Sequence, residues 1–470
     1  MNNEQYISEI VANVIKSIGN EKSNEAPKTS MHKKGVFSSM SDALQAVDKA
    51  YKQLKKYSVE QREEMIKNIR RLTLEEAEIM AKMGVEETGM GNVADKIIKH
   101  QLVARKTPGT EDLKPSVMTG DDGMTLVEMA PYGVIGSITP STNPSETVIC
   151  NSMGMIAGGN GVVFNPHPNA KKVANYAVDL VNRAVLEAGG PENIVVSVEN
   201  PTKESSDEMM QSPIVRMLVA TGGPGVVKAL LSSGKKAIGA GAGNPPVIVD
   251  DTADIKKAAK DIVSGASFDN NLPCIAEKEC FAFANIADEL MAEMQKNGAY
   301  MIKGNDIQKL VDLCLINKDG KYSINKKWVG KDAYKFLDAI GISAPQGTKL
   351  IICETEASHP FVQEELMMPI LAVVRVSNID EAIEEACKAE HGNRHSAHIH
   401  SKNIDHLSRF AKAVETTIFV KNTPSYAGIG AGGEGYTTFT IAGPTGEGLT
   451  AAHSFTRSRR CVLVDGFHIV

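Results

Sequence analysis

The segment FDNNLPCIAEKE, residues 268 to 279, places Cys274 directly after a proline and between polar and charged residues. A cysteine in this setting could be a core residue, half of a disulfide, a metal ligand or a nucleophile. The seven cysteines are scattered, odd in number and without a CxxC pair, and no secretory signal is visible. This pattern is typical of reduced thiols inside a cell. We therefore expect neither a disulfide nor a zinc site at Cys274.

Three further segments carry groups that could assist a nucleophile or bind a cofactor. In TPSTNPSE, residues 139 to 146, the amide of Asn143 could stabilise an oxyanion, although on this segment alone helix capping is favoured. VATGGPGVVKAL, from residue 219, reads as strand, glycine turn and helix, which could bind a phosphate or form only a tight turn. In EELMMPI, Glu364 and Glu365 could be no more than solvated surface charge.

A histidine-rich segment, HGNRHSAHIHSKN, contains His391, His395, His398 and His400. If the segment is a strand, His398 and His400 share one face, so a metal site has to be considered. No carboxylate or cysteine completes a ligand set locally. Core or polar-face histidines are therefore favoured, and no metal is expected.

The composition limits the classes of protein that the chain can form. A length of 470 residues exceeds one hydrophobic core, so two or three domains are expected. The net charge of -6 gives no overall attraction to nucleic acid or to anionic membranes. No apolar run is long enough to cross a bilayer.

The order of predicted elements indicates an α/β fold. Residues 40 to 106 have helical periodicity, and strands then alternate with helices from GVIGSITP to PPVIVDD. Such β-α-β runs predict parallel sheets covered by helices. The pattern restarts after residue 255, which predicts a second α/β domain.

The first 20 residues form a separate unit in the sequence. Apolar residues from Ile7 to Ile18 recur on one face of a predicted helix, and a polar linker follows over residues 21 to 34. The apolar face could dock on a partner or pack on the chain's own body, and the pattern favours neither. A membrane-surface helix is disfavoured because Lys16 is the only basic residue.

Taken together, TPSTNP, ATGGPG, NNLPCIAEKE and EELMMPI, in this order, resemble the aldehyde dehydrogenase superfamily. GAGAGNPPVIVD and the tail KNTPSYAGIGAGGEGYTTFTIAGPTGEGLT resemble its coenzyme-A-acylating branch from bacterial microcompartments, which acts on propionaldehyde or acetaldehyde. The resemblance implies two Rossmann-like parallel-sheet domains and a small β oligomerisation element. Its implied limits are an NAD-binding domain over 35–242, a catalytic domain over 243–434 and a C-terminal return segment over 435–470, with 113–130 contributing to an oligomerisation hairpin.

The resemblance also implies roles for individual residues. Cys274 corresponds to the nucleophile, Asn143 to the side chain that forms the oxyanion hole with the Cys274 N–H, and Glu365 to the acid that holds the nicotinamide ribose. The remaining implied NAD contacts are Thr139, Asn165, His167, Thr221, Gly222 and Gly223. What activates the Cys274 thiol does not follow from the resemblance, since Lys278 is near it only in sequence.

Two departures from the hydrolytic members of the family affect the expected reaction. Those members carry a water-activating glutamate in an ELGGKSP-like motif, whereas this chain has IGAGAGNPP. The acyl-enzyme should therefore wait for coenzyme A, a better nucleophile than water. Asn165 stands where those members have a lysine near the adenosine ribose, which favours NAD over NADP.

The implied partners are a short aldehyde, with propionaldehyde favoured, and coenzyme A. Residues 1–20 resemble an encapsulation peptide that docks on a shell protein, which places the enzyme in the lumen of a cytoplasmic microcompartment. A homo-oligomer, dimer or tetramer, is expected from the family. The alternatives are a hydrolytic or phosphorylating dehydrogenase and, more remotely, a non-enzymatic scaffold.

Overall fold

The computed structural model describes residues 33–469. The predicted amphipathic helix of residues 1–20 and nearly all of the linker lie outside the described residues. Within the described range, no helix is long and apolar enough to cross a membrane. All seven cysteines are free.

Residues 40 to 106 form four helices, as their periodicity predicts. Their starts follow local capping chemistry: the side chain of Ser39 accepts a hydrogen bond from the N–H of Asp42, and Ser58 forms a capping box with Gln61. The helices are α1 (Met40–Leu54), α2 (Val59–Glu75), α3 (Ala77–Thr88), α4 (Val93–Lys106), α5 (Pro144–Ala157), α6 (Lys171–Glu187), α7 (Lys203–Gln211), α8 (Pro224–Leu231), α9 (Ile255–Ser267), α10 (Ala287–Lys296), α11 (Asn305–Cys314), α12 (Ala333–Ala339), α13 (Pro360–Gln363), α14 (Ile379–Ala389) and α15 (Ile404–Val414).

The first large sheet has six parallel strands in the order β1-β6-β5-β4-β7-β8. Its strands are β1 (Val36–Phe37), β4 (Val134–Thr139), β5 (Gly161–Pro166), β6 (Val195–Val198), β7 (Val215–Thr221) and β8 (Lys236–Ala240). Successive residues alternate between two cores: Val162 packs in the cluster with α2, α5 and α6, whereas Val163 packs in the cluster with α1. Both faces are covered, as expected for parallel sheets.

The second large sheet has seven parallel strands in the order β11-β14-β15-β10-β9-β16-β17. Its strands are β9 (Pro246–Val249), β10 (Glu279–Phe283), β11 (Ala299–Met301), β14 (Leu350–Glu354), β15 (Ile370–Val376), β16 (Ser396–His400) and β17 (Ile418–Lys421). The predicted α/β class with parallel sheets is confirmed. The sequence pattern grouped β9 with the first run of strands, but β9 pairs in the second sheet. The limits of the implied domains stay predictions.

A third, antiparallel sheet pairs β2 (Ser116–Gly120) and β20 (Thr456–Val464) with the two edges of β3 (Gly123–Pro131). The chain therefore returns from its C-terminal segment to the region of residues 113–130. Two short antiparallel pairs complete the fold: β12 (Leu315–Lys318) with β13 (Lys321–Ile324), and β18 (Ile441–Ala442) with β19 (Gly448–Leu449).

The topology brings distant segments to one edge of the second sheet. Gly243, Cys274, Glu365 and His395 each stand shortly before a strand, and those strands are β9, β10, β15 and β16. Because these four strands are parallel and adjacent, their N-terminal ends, which we call the strand entrances, lie at the same end of the sheet. Asn143 follows β4 in the first sheet, where ligands bind at carboxyl ends of strands.

Candidate active site

The loop that carries Cys274 begins with three consecutive residues in left-handed conformation. Asp269, Asn270 and Asn271 have φ values of 47°, 55° and 64°. Such a run is uncommon outside glycine, and Asn and Asp tolerate it best. Bonds to α4 hold it: the N–H of Asn92 donates to Asp269 Oδ1 at 3.0 Å, and the N–H of Asp269 donates to Asp95 Oδ2 at 2.7 Å. We call residues 269–278 the nucleophile loop, after the role predicted for Cys274. The loop is therefore fixed from its first residues.

The thiol of Cys274 is half-buried. Burial and the nearby carboxylate of Glu365 raise its pKa to about 12, while the positive charges of Lys278 and Lys99 act in the opposite direction. Lys278 was near Cys274 only in sequence, and the fold makes it a spatial neighbour. The two lysines are the cations that favour the thiolate, which is the reactive form.

Asn143 occupies the N-cap position of α5, but its side chain does not cap the helix. The capping interpretation, favoured on this segment alone, is therefore wrong. Instead, Nζ of Lys99 donates to Asn143 Oδ1 at 2.6 Å. The amide is buried, with 7% of the residue exposed. Its Nδ2 retains donor capacity, because its one protein partner in the described part of the chain is Thr142 Oγ1 at 3.3 Å.

Glu365 is half-buried rather than a freely solvated surface charge. Burial raises its pKa to about 7, and the charge of Lys278 and the backbone N–H of Gly243 oppose that rise. Glu364, its neighbour, is also half-buried. Glu365 and Cys274 are therefore both influenced by the charge of Lys278. Glu365 precedes β15 and Cys274 precedes the neighbouring strand β10.

Within the stretch IGAGAGNPP, Gly243 packs too tightly against the nucleophile loop for a side chain. A Cβ added to Gly243 would lie 2.8 Å from Cγ of His395 and 2.9 Å from the backbone oxygen of Cys274. The amide of Asn244 anchors the stretch by donating to the carbonyl oxygens of Val362 and Ala389, each at 2.9 Å. Glycine is therefore required where this stretch passes Cys274.

His395 lies against the same glycine as Cys274, whereas the sequence analysis considered it only as a metal ligand or as a core or polar-face histidine. It is buried, its Nδ1 pairs with Ser396 Oγ at 2.8 Å, and its Nε2 has no protein partner within residues 33–469. Burial and the charge of Lys278 lower its pKa to about 4, so the ring is neutral at neutral pH. A local signal could not have found it, since only strand pairing brings residue 395 beside residue 274.

Of the other three histidines in the segment, His391 and His398 have backbone partners, whereas Nε2 of the buried His400 has no protein partner within residues 33–469. His398 is buried and its Nε2 lies 2.9 Å from the backbone oxygen of Ile275, while His391 contacts the backbone oxygen of Gln363 at 2.8 Å. In the part of the chain that the structure describes, no three His, Cys, Asp or Glu side chains group together as metal ligands would.

The implied NAD contacts fall into two groups at the carboxyl edge of the first sheet. Thr139 ends β4 with its buried Oγ1 unpaired among the described residues, and Thr221 ends the neighbouring β7, with its Oγ1 3.0 Å from Thr440 Oγ1. Gly223 begins α8 without a side-chain cap, and a Cβ on it would meet nothing within 4 Å. Gly222 is almost as open. An unpaired hydroxyl and an open, uncapped helix start fit a dinucleotide phosphate.

Asn165 and His167 form the second group: Asn165 is the penultimate residue of β5, and His167 directly follows the strand. The amide of Asn165 is tied to α7, donating to Thr202 O at 3.3 Å and accepting from Ser205 Oγ at 2.6 Å. The pKa of His167 is lowered by desolvation and then by the charge of Lys326. Lys326, from the part of the chain that forms the second sheet, is thus near His167. The sequence did not reveal this proximity. The preference for NAD over NADP stays a prediction.

A cavity of about 1240 Å³ opens on the other side of the nucleophile loop. Phe268, Asn270 and Tyr426 line it, together with part of α4. The rings of Phe268 and Tyr426 pack against each other with centroids 5.2 Å apart. The lining is mixed in character, because charged side chains such as Asp95 and Lys106 stand beside these rings.

Comparison with known proteins decides the family. The model of the aldehyde dehydrogenase family matches residues 30–443. The chain is 48% identical to acetaldehyde dehydrogenase (acetylating) EutE of Escherichia coli (strain K12) over 471 residues, which cover 100% of both chains. The chain belongs to the aldehyde dehydrogenase family.

Two solved structures of the family are close to this chain. A propionaldehyde dehydrogenase from the fucose utilisation microcompartment of Clostridium phytofermentans is 58% identical, with a TM-score of 0.91 over 93% of this chain and 100% of that one. A Rhodopseudomonas palustris propionaldehyde dehydrogenase, solved with bound CoA and an acylated cysteine, is 56% identical, with a TM-score of 0.90 over 92% and 98%. The predicted resemblance to acylating aldehyde dehydrogenases is confirmed.

Proposed function

We propose that this aldehyde dehydrogenase converts a short aldehyde, coenzyme A and NAD⁺ to an acyl-CoA and NADH through a thioester on Cys274. The observation that carries this proposal is the packing at Gly243, where small residues, Cys274 and a neutral His395 meet without a carboxylate from the stretch 239–243. Water then lacks the base that the hydrolytic members supply. The names of the relatives, acetylating and CoA-bound, support the same acceptor.

The first step forms a bond between Sγ of Cys274 and the carbonyl carbon. The thiolate supplies the electron pair, and the carbonyl electrons move to oxygen. Nδ2 of Asn143 and the N–H of Cys274 are the donors proposed to hold the oxyanion, an interaction strongest where charge develops. Lys278 and Lys99 favour the thiolate that starts the step.

NAD⁺, when bound, accepts the hydride from the former aldehyde carbon. Thr139, Thr221, Gly222 and Gly223 are proposed to hold its diphosphate side, and Glu365 its nicotinamide ribose. The groups present fit this role, since Thr139 Oγ1 is buried and unpaired within residues 33–469 and Gly223 is open. Asn165 and His167 are proposed to lie on the adenosine side.

Acyl transfer then completes the reaction. The thiol of coenzyme A attacks the thioester carbon, its sulfur forms the new thioester and Sγ of Cys274 leaves as thiolate. We propose Nε2 of His395 as acceptor of the coenzyme A proton, because it is neutral and pairs with no described residue beside the Cys274 loop. Exchange between two thioesters changes little energy, so the reaction should run in both directions.

The test follows NADH absorbance with propionaldehyde and NAD⁺, with and without coenzyme A. We expect sustained turnover only with coenzyme A, and a loss of at least about a thousandfold in Cys274→Ala. Cys387→Ala is the matched control, because Cys387, in α14, is a free and half-buried cysteine like Cys274. Equal turnover without coenzyme A would instead establish a hydrolytic enzyme. Comparing kcat/KM for acetaldehyde and propionaldehyde tests the preference for the longer aldehyde. One methylene group should change the activation free energy by about 1–3 kcal/mol.

A homo-oligomer is proposed through the third sheet. Strand β20 is exposed along nearly its whole length, and Val462, Leu463 and Val464 expose apolar side chains there. Val117 and Met118 on β2 do the same. An apolar, exposed sheet face is a site for association. Val462→Asp/Val464→Asp should lower the mass measured by light scattering to that of a smaller assembly, with unfolding temperature retained.

We propose that residues 1–20 dock on a shell protein. Two observations support this role: the amphipathic pattern of the segment, and a similar enzyme that comes from a bacterial microcompartment. It would place the enzyme in the lumen of a microcompartment. Deleting residues 1–20 should preserve turnover and abolish co-purification with shells. Unchanged co-purification would contradict this role, and lost turnover in a folded deletion would show that the segment belongs to the enzyme body.

A further inference from the structure

Lys99 is a fully buried cation in the middle of α4. Its ammonium has three N–H donors and meets three oxygens: Oδ1 of Asn143 at 2.6 Å, Oδ2 of Asp269 at 2.6 Å and Oε1 of Glu146 at 3.0 Å. A buried lysine without partners would be strongly destabilising. Here the ammonium donates a hydrogen bond to Asn143 and forms ion pairs with two carboxylates, and these partners come from two separate stretches of chain.

The contact with Asn143 determines which way the amide faces. An ammonium can only donate, so the atom of Asn143 that faces Lys99 must be the oxygen. Nδ2 consequently points away from Lys99, where its protein partner within residues 33–469 is Thr142 Oγ1 at 3.3 Å. A rotated amide would place two N–H donors against a cation. Lys99 thus permits one orientation of the Asn143 amide, in which Nδ2 is available to donate to an oxyanion.

The contact with Asp269 ties the same ammonium to the nucleophile loop. Asp269 begins the left-handed run that leads to Cys274, and its carboxylate also receives Nζ of Lys96 at 3.0 Å. The positive charge of Lys99 is among the influences that lower the pKa of Cys274. One side chain therefore contacts both Asn143 and the first residue of the left-handed run that leads to Cys274.

We infer that Lys99 is a positioning residue that orients the Asn143 amide toward the oxyanion formed on Cys274. This inference rests on the proposed function, since it presumes that an oxyanion forms there. No sequence motif contains Lys99. Its role is carried out through Asn143, so it need not touch the aldehyde.

Charge balance guides the choice of variants. Two cations, Lys96 and Lys99, face two anions, Asp269 and Glu146, in this buried cluster. Lys99→Met alone leaves one uncompensated anion and could fail to fold. Lys99→Met/Glu146→Gln removes one charge of each sign and leaves the net charge of the cluster unchanged. Lys96→Met/Glu146→Gln is the matched control, because Lys96 contacts Asp269 rather than Asn143.

The experiment measures kcat and KM of both double variants in the coenzyme-A-dependent assay, with unfolding temperatures for each. We expect Lys99→Met/Glu146→Gln to lower kcat by about 10- to 100-fold with little change in the KM for aldehyde, less than the about 10²–10³-fold cost of removing an oxyanion donor. The control should lose similar thermal stability and much less kcat. Equal kcat losses in the two variants would overturn the inference, because a merely structural role predicts them.

A double-mutant cycle with Asn143→Ala gives the second readout. If Lys99 acts through the amide, adding Lys99→Met/Glu146→Gln to Asn143→Ala should lower kcat by less than about threefold, because the amide that Lys99 orients is already gone. If the losses in kcat caused by Asn143→Ala and by Lys99→Met/Glu146→Gln instead multiply in the combined variant, the inference is overturned. A wild-type enzyme without turnover would reject the proposed function itself, whereas active wild type with an unaffected Lys99 variant rejects only the role of Lys99.

Discussion

Nζ of Lys278 donates to Oδ1 of Asn271 at 2.5 Å and to the backbone oxygen of the same residue at 2.9 Å. These two residues flank Cys274 in sequence, so their bond closes the nucleophile loop around it. The amide of Asn271 completes the closure by donating to the carbonyl oxygens of Ala266 at 2.8 Å and Glu277 at 3.0 Å. Side-chain bonds to backbone, rather than a helix or strand, hold the nucleophile.

Lys278→Met should therefore destabilise the protein and lower the reactivity of the Cys274 thiol. The change leaves buried carbonyl groups of the loop unpaired and removes a positive charge that lowers the pKa of Cys274. We expect the free energy of unfolding to fall by about 3–5 kcal/mol and alkylation of Cys274 by iodoacetamide to slow. Lys309→Met is the control: its exposed pair with Asp306 should contribute less than about 1 kcal/mol. Equal unfolding midpoints in urea for the two variants would contradict the prediction.

Glu365→Gln should accelerate alkylation of Cys274 in the protein without nucleotide. The carboxylate of Glu365 is the second cause, after burial, of the raised pKa of the thiol. Removing that negative charge should increase the thiolate fraction at pH 8 and the rate by about 3- to 10-fold, since one pKa unit is tenfold. NAD⁺ should bind more weakly to the same variant. Glu364→Gln is the neighbouring control, and similar rates in both variants would show that Glu365 does not act on the thiol.

Gly243→Ala should impair the enzyme far more than Gly241→Ala. A Cβ at Gly243 would collide with His395 and with the backbone oxygen of Cys274, whereas one at Gly241 meets only Cγ of Pro444, at 3.3 Å. We expect Gly243→Ala to cost about 1–3 kcal/mol of stability and about tenfold or more in kcat, as the loop shifts. Unfolding curves and steady-state rates for both variants test this, and equal effects would contradict it.

His398→Leu should change how stability depends on pH. Burial lowers the pKa of His398 to about 3, whereas an unfolded histidine titrates near 6.5. Between these values the unfolded chain binds a proton that the folded chain does not, so stability is lost as pH falls below about 6.5. The wild type should lose up to about 1.4 kcal/mol per pH unit relative to the variant in that range. Urea unfolding at pH 7.5, 6.0 and 5.0 measures the difference, and parallel profiles would contradict the assignment.

Local sequence predicted much of the scaffold. The strands that became β4, β5, β6 and β7 are short apolar runs bounded by turns, and helices α1 to α4 have clear periodicity, so both were evident without a structure. The motif set also identified Cys274, Asn143 and Glu365 as a group, because each stands in a distinctive segment. Capping was favoured for Asn143 in isolation since the Asn-Pro start of α5 is typical of a cap, and only the contact with Lys99 shows otherwise.

The sequence by itself determined the parallel α/β fold and the small residues of the stretch 239–243. Through the family resemblance it also predicted Cys274 as the nucleophile. Only the tertiary structure decided the surroundings of that cysteine: Lys99 on the Asn143 amide, Lys278 as the buried cation and His395 beside Gly243. The physical reason is that these contacts join residues up to 152 positions apart, across adjacent parallel strands and between helices. Local periodicity and spacing record which face of an element is buried, but not which buried side chains meet.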